Sequence, residues 1–248
     1  MNRSRRDFIK AAGTAVTVLA LPSITFADDS HKKRHVVTLS FDDGFRKSSI
    51  KTAEIYEKYE LSACINVVAS AHLEEFQPPD YPDVTRGDFK LWNELQERGH
   101  EIMPHSYKHA NLRQLPLDEA KDLISRCFDV FADELEGFDQ EQSVYNFAYN
   151  ASTPELEECL STQVRAFRTG GGAINPLPHE DQVKLTCTSF GPGNCEDAID
   201  RHINNLLAQG SGWLIFNTHG LDGEGWGPIR STYLDSLLER LLNIESVD

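Results

Sequence analysis

The chain has no CxxC pair, no glycine-rich stretch that ends in Gly-Lys-Ser/Thr and no internal repeat. These absences remove the usual signatures of a structural zinc site, a phosphate cradle and a repeat architecture. Cysteine is sparse: Cys64, Cys127, Cys159, Cys187 and Cys195 are an odd number at irregular spacing, so a fully paired disulfide framework is excluded. Cys187 and Cys195 bracket TSFGPGN and have two readings, a loop-closing disulfide in an oxidising compartment or buried free thiols. Positive charge is also scarce, with 24 Lys and Arg against 39 Asp and Glu and a net charge of -15. Such a surface disfavours nucleic acid and anionic lipid. Past the N-terminus no segment reaches the ~20 apolar residues of a membrane-spanning helix.

Residues 1–27 stand apart. A basic NRSRRDFIK with paired Arg5 and Arg6 precedes the apolar AAGTAVTVLALPSITFA and an acidic DD. The pattern resembles a twin-arginine export signal cleaved after Ala27. The alternative is an uncleaved membrane anchor, disfavoured by Gly13, Thr14, Thr17 and Pro22 within the apolar run. The expectation is export to the periplasm, cell envelope or exterior by the twin-arginine machinery. Membrane contact would come only through an uncleaved anchor. Cleavage takes away Arg3, Arg5, Arg6 and Lys10 against Asp7, leaving 20 basic and 38 acidic residues and a net charge of -18. Residues 28–35 read as a short basic linker, and 36–248 as one domain.

Within that domain, apolar runs of strand length at 36–41, 62–68, 100–105, 143–148, 164–169, 184–190 and 212–219 alternate with helical patterns near 47–59, 88–98, 117–136, 153–162, 195–209 and 231–243. The clearest helix is 117–136, where Ala120, Leu123, Ile124, Cys127, Phe128, Phe131 and Leu135 recur every three or four residues. Strand and helix alternating seven times predicts a parallel α/β sheet, flanked by helices or closed into a barrel. The segments 69–87 and 169–183 are long, rich in Gly and Pro, and read as loops near a site or as inserted structure.

Ligands gather at the carboxyl ends of strands in such folds. Asp42 and Asp43 in SFDDGF follow the first strand, His105 and His109 in PHSYKHANL the third, and His219 in WLIFNTHG the last. His105 and His109 are four residues apart, which on a helical turn places both rings on one face. Two imidazoles and a carboxylate suit a divalent metal with positions left open.

LSFDDGF, PHSYKHANL and WLIFNTHG together resemble the polysaccharide deacetylases, the carbohydrate esterase family 4 or NodB-homology enzymes. The resemblance spans 36–243 and implies a distorted (β/α)7-type barrel, with 36–248 as the catalytic domain. It further implies that Asp43, His105 and His109 bind a divalent metal, usually zinc, and that Asp42 is the general base. Water on the metal would be the nucleophile and His219 the general acid. The implied reaction removes acetyl, N-acetyl before O-acetyl, from a polysaccharide or oligosaccharide.

The chain departs from the family at the third motif, where Arg-x-Pro-Tyr or Phe-Ala-Tyr-Pro-Tyr-Gly is usual. YNFAYNAS keeps Phe147, Ala148 and Tyr149 but has Asn150 in place of Pro and no Arg. Tyr149 is the candidate for a pocket wall or oxyanion donor. Arg168, ending the next strand, is either the partner of Asp42 or half of a surface ion pair. Trp226, in the loop after His219, either stacks on a sugar ring or packs its loop. Related chains continue past the last helix into another strand, so the barrel is expected to be open on that side. Two rival functions remain: a catalytically weak glycan-binding module on the same fold, and a metal-dependent amidase acting on a cyclic imide-like amide.

Overall fold

The computed structural model describes residues 33–78, 80–193 and 195–248; the expected export signal at 1–27 and the expected linker up to residue 32 lie outside them. Among the described residues seven strands alternate with six α-helices, except that the fifth strand leads to the sixth without a helix. The strands are β1 (His35–Phe41), β2 (Cys64–Val67), β3 (Glu101–Pro104), β4 (Val144–Asn146), β5 (Ala166–Gly170), β6 (Lys184–Ser189) and β7 (Gly212–Thr218). The helices are α1 (Arg46–Glu57), α2 (Phe89–Glu97), α3 (Leu117–Glu134), α4 (Pro154–Leu160), α5 (Glu196–Leu207) and α6 (Ser231–Leu242). Among the described residues no helix is long and apolar enough to cross a membrane.

Local chemistry explains the helices. In α3 the periodic Ala120, Leu123, Ile124, Cys127, Phe128 and Phe131 are buried, and Asp118 and Glu119 occupy the first turn, where the helix dipole favours anions. Burying each Leu, Ile or Phe contributes about 1.5–3 kcal/mol. Asp88 caps α2 by accepting from Leu91 N at 2.9 Å, and Thr153 caps α4 ahead of Pro154 at its first turn.

All strand pairings are parallel, in the order β3-β2-β1-β7-β6-β5-β4. The sheet curls into a nearly closed barrel, so the distorted seven-strand α/β barrel expected from the sequence is the fold. The opening, however, is not beside the last helix. There β1 and β7 pair along their whole length, from His35↔Gly212 to Phe41↔Thr218, and residues 246–248 hydrogen-bond to residues 34–37. The seam lies between the end strands β3 and β4. Side chains span it: His105 Nδ1–H donates to the Asn146 carbonyl (3.0 Å) and Asn146 Nδ2 to the Pro104 carbonyl (3.4 Å). Parallel strands bring the carboxyl ends of β1, β3, β4 and β7 to one rim.

Candidate active site

At that rim Asp42, Asp43, His105, His109, Tyr149, His219 and Trp226 line one cavity of about 380 Å³. Arg168 does not line it. It lies beneath the floor, 1% exposed, with Nη2 donating to Asp42 Oδ2 at 2.7 Å and Nε to Asn146 Oδ1 at 2.7 Å. The Arg168–Asp42 contact is therefore a buried ion pair and not a surface one. Asn146 sits opposite Arg168 in the β4–β5 register, so the neighbouring strand fixes the guanidinium. Asp42 Oδ1 accepts from Asn66 Nδ2 at 2.6 Å, which engages both carboxylate oxygens. Burial acts to raise the Asp42 pKa, but Arg168 and then His105 outweigh it and hold the carboxyl below its ordinary value.

The turn after β1 separates the two aspartates. Asp43 has φ 75 and Gly44 φ 64, so the chain reverses its hand immediately after Asp42. Asp43 Oδ1 lies 3.0 Å from His109 Nε2 and 3.4 Å from His105 Nε2, yet among the described residues it has no hydrogen-bond partner. The ring nitrogens approach it without aiming an N–H at it. Donor atoms each ~2.1 Å from a shared ion stand about 3.0–3.4 Å apart for right-angle to tetrahedral geometry. The His105 tautomer agrees, because its Nδ1–H is committed to the Asn146 carbonyl, leaving the Nε2 lone pair facing Asp43. These three residues fit a divalent cation. Asp43 is held well below the ordinary carboxylate value: burial opposes this, and His109, His105 and His219 outweigh it.

His105 and His109 are brought together by a loop and not by the helical turn expected from their spacing. Ser106 and His109 have φ 65 and 54, incompatible with a right-handed helix. Ser106 Oγ accepts from His109 N at 2.9 Å, and the carbonyls of Ser106 and Tyr107 accept from Ala69 and Ser70. Asp43, Ser106, His109, Tyr149 and Asn150 all occupy the left-handed region without being glycine, at a cost on the order of 1–3 kcal/mol each. Such strain collected around one cavity is a mark of a functional site. It also accounts for FAYN: at φ 51, position 150 excludes proline, whose ring fixes φ near about -65°.

Tyr149 is 47% exposed, and its ring covers His109 at a centroid distance of 4.7 Å, making it a wall of the cavity. Trp226 meets His219 edge-on at 5.5 Å and packs against Gly191, where a Cβ would fall 2.7 Å from the indole. Trp226 thus packs its loop and lines the cavity at once. His219 is half-buried, and its Nδ1 is inaccessible and unpartnered among the described residues; desolvation lowers its pKa, only partly offset by Asp43 and Asp42. Cys187 and Cys195 are free buried thiols.

Some lining residues were not singled out from the sequence: Asp80, Tyr81, Ser189 and Asn217. Asp80 and Tyr81 come from the 69–87 loop, whereas 171–183 folds back beside β7 through an Asn175–Trp213 bridge and contributes nothing to the cavity. A signal existed for others. Asn66, Asn146 and Asn217 each interrupt an apolar strand near its carboxyl end, and all three are buried. A polar residue there must find a partner inside the barrel.

A family profile described as polysaccharide deacetylase matches residues 29–189. Among solved structures, a candidate polysaccharide deacetylase from Mycobacterium smegmatis aligns with a TM-score of 0.66 at 13% identity, covering 94% of this chain and 90% of that one. A family 4 acetyl xylan esterase from Clostridium thermocellum, in complex with cobalt, gives 0.58 at 17% identity, covering 86% of each chain. A carbohydrate esterase family 4 pseudoenzyme from Bacillus anthracis gives 0.51 at 12% identity, covering 84% of this chain and 60% of that one. Identities this low establish a shared fold and leave chemistry to the site. A search of curated proteins gives no match.

Proposed function

This chain belongs to the polysaccharide deacetylase family, and from that premise we propose that it is a metal-dependent hydrolase removing acetyl, N-acetyl before O-acetyl, from a glycan. One observation carries the reading. The partnerless Asp43 Oδ1 and two imidazole Nε2 atoms converge beside an Asp42 kept anionic by buried Arg168. Asp43, His105 and His109 would hold the ion, with zinc the choice for this mixed nitrogen and oxygen set. When bound, a divalent cation supplies charge that polarises an acetyl carbonyl and acidifies water.

The chain's own groups do the rest. Asp42 is anchored through both oxygens and stays ionised, as a base that takes the proton of attacking water must. His219, facing the same cavity, would return a proton to the departing amine or alcohol. The exposed Tyr149 at the rim favours a sugar over a small imide, which would need an enclosed pocket. The engaged Arg168 counts against a module that has merely kept the fold. Export through the Arg5–Arg6 signal would place the activity where envelope or environmental glycans are found.

The test is elemental analysis of the mature protein together with acetate release from a panel of N- and O-acetylated glycans. The reading expects a stoichiometric divalent ion and acetate release well above that of an Asp42→Asn control. No bound ion and no acetate above the control would overturn it.

The pH profile gives a second check. His219 donates as imidazolium, and burial depresses its pKa, so kcat should begin to fall with rising pH below the ordinary imidazole value. A cation beside it acts in the same direction. Asp42 must be ionised and is itself depressed, so the acid limb should lie below the ordinary carboxylate range. A rate that is flat through mildly acidic to neutral pH would remove His219 from the proposed role.

A further inference from the structure

Each imidazole in the proposed metal set has a second nitrogen whose proton must go somewhere. If Nε2 gives its lone pair to an ion, Nδ1 carries the hydrogen, and whatever faces Nδ1 sets the tautomer and the ring's orientation. For His105 that group is the Asn146 carbonyl at 3.0 Å. For His109 it is a carboxylate: Asp80 Oδ2 lies 3.8 Å from His109 Nδ1, while Nε2 on the other edge of the ring faces Asp43 Oδ1 at 3.0 Å. The imidazole thus separates the two carboxylates.

Asp80 is held in place. The same Oδ2 accepts the Tyr149 hydroxyl at 2.8 Å, and the Tyr149 ring lies over His109. The Asp80 carbonyl accepts from Arg86 Nη2 at 2.9 Å, and that guanidinium sits 5.1 Å from the centroid of the Phe45 ring, two residues after Asp43. A third carboxylate beside Asp42 and Asp43 would be repelled unless an N–H dipole or positive charge faced it. Its orientation toward the Nδ1 edge of His109 resolves that.

We propose that Asp80 is a positioning residue of the metal site, its carboxylate holding the Nδ1–H tautomer of His109 so that Nε2 presents its lone pair to the ion. The inference rests on the metal-site reading above. The 3.8 Å separation is electrostatic and not a hydrogen bond, so the charge of Asp80 matters more than its shape. Asn at this position keeps an acceptor for the Tyr149 hydroxyl and loses only the charge. Phe at position 149 loses the hydroxyl and keeps the charge.

The experiment strips the full protein of metal and titrates it with zinc against a competing chelator, with circular dichroism to establish folding. Asp80→Asn is expected to weaken zinc binding about 10- to 100-fold. Asp80→Glu should recover most of the affinity, and Tyr149→Phe should stay nearer to wild type than to Asp80→Asn. The proposal is overturned if Asp80→Asn binds zinc as tightly as wild type. It is overturned equally if Tyr149→Phe matches Asp80→Asn, since Asp80 would then serve only to hold its loop. A wild-type protein that binds no zinc, cobalt or other divalent ion overturns the metal-site reading itself, and this inference with it.

Discussion

Asp42→Asn should lower acetate release by about 10²–10⁴-fold, the usual contribution of a positioned general base, while leaving Asp43, His105 and His109 able to bind metal. The same change should destabilise the fold by about 3–5 kcal/mol, because it strands a buried cation. Asp42 is 3% exposed and accepts from two donors, Asn66 Nδ2 on Oδ1 and Arg168 Nη2 on Oδ2. Asparagine offers one acceptor oxygen, so one of those donors is left unpaired, and the guanidinium loses its counter-charge. Denaturant titration and steady-state acetate assays, run where the variant is still folded, separate the two effects. A stable, fully active Asp42→Asn would place the base elsewhere.

Arg168→Met should cost about 3–5 kcal/mol and lower the melting temperature by on the order of 10 °C for a domain of this size. Its pH signature differs from a simple packing defect. Asp42's depressed pKa represents stability present above the ordinary carboxylate value and lost as pH falls through the lowered one. Without Arg168, burial dominates and the Asp42 pKa rises. The acid limb of activity should therefore move to higher pH, while the loss of stability on acidification that Asp42 contributes in the wild type should disappear. Arg168→Lys should not rescue, because a single ammonium cannot serve Asn146 Oδ1 and Asp42 Oδ2 together. Combining Asp42→Asn with Arg168→Met should restore part of the stability and none of the activity, with a coupling of about 0.5–3 kcal/mol. Additive losses would mean that the two side chains do not act as a pair.

Much of the rim was legible because its residues lie at strand ends that apolar periodicity marks: Asp42 and Asp43 after β1, His105 after β3, His219 after β7. The helix 117–136 was equally plain from its spacing. What periodicity cannot carry is loop conformation. The turn holding His105 and His109 depends on two left-handed residues and a Ser106 hydrogen bond, which a four-residue spacing does not encode. Asp80 lies in a proline-rich loop whose path is set by tertiary contacts through Arg86. The absence of an arginine at the third motif also misleads when read one strand at a time. β4 supplies Asn146 and β5 supplies Arg168 directly across the ladder, so the cation enters from the adjacent strand and still reaches Asp42.

The seam between β3 and β4 makes barrel circumference and ligand spacing one mechanical variable. Backbone ladders join the other neighbouring strands, but here closure depends on His105 and Asn146, and His105 is also one of the three converging donors. Widening the barrel at this point draws His105 away from Asp43 and His109; narrowing it crowds them. An ion held by Asp43, His105 and His109 would therefore act as a hoop on the rim. The reverse would also hold: packing that sets the barrel's girth, far below the cavity, would tune how tightly such a hoop is drawn.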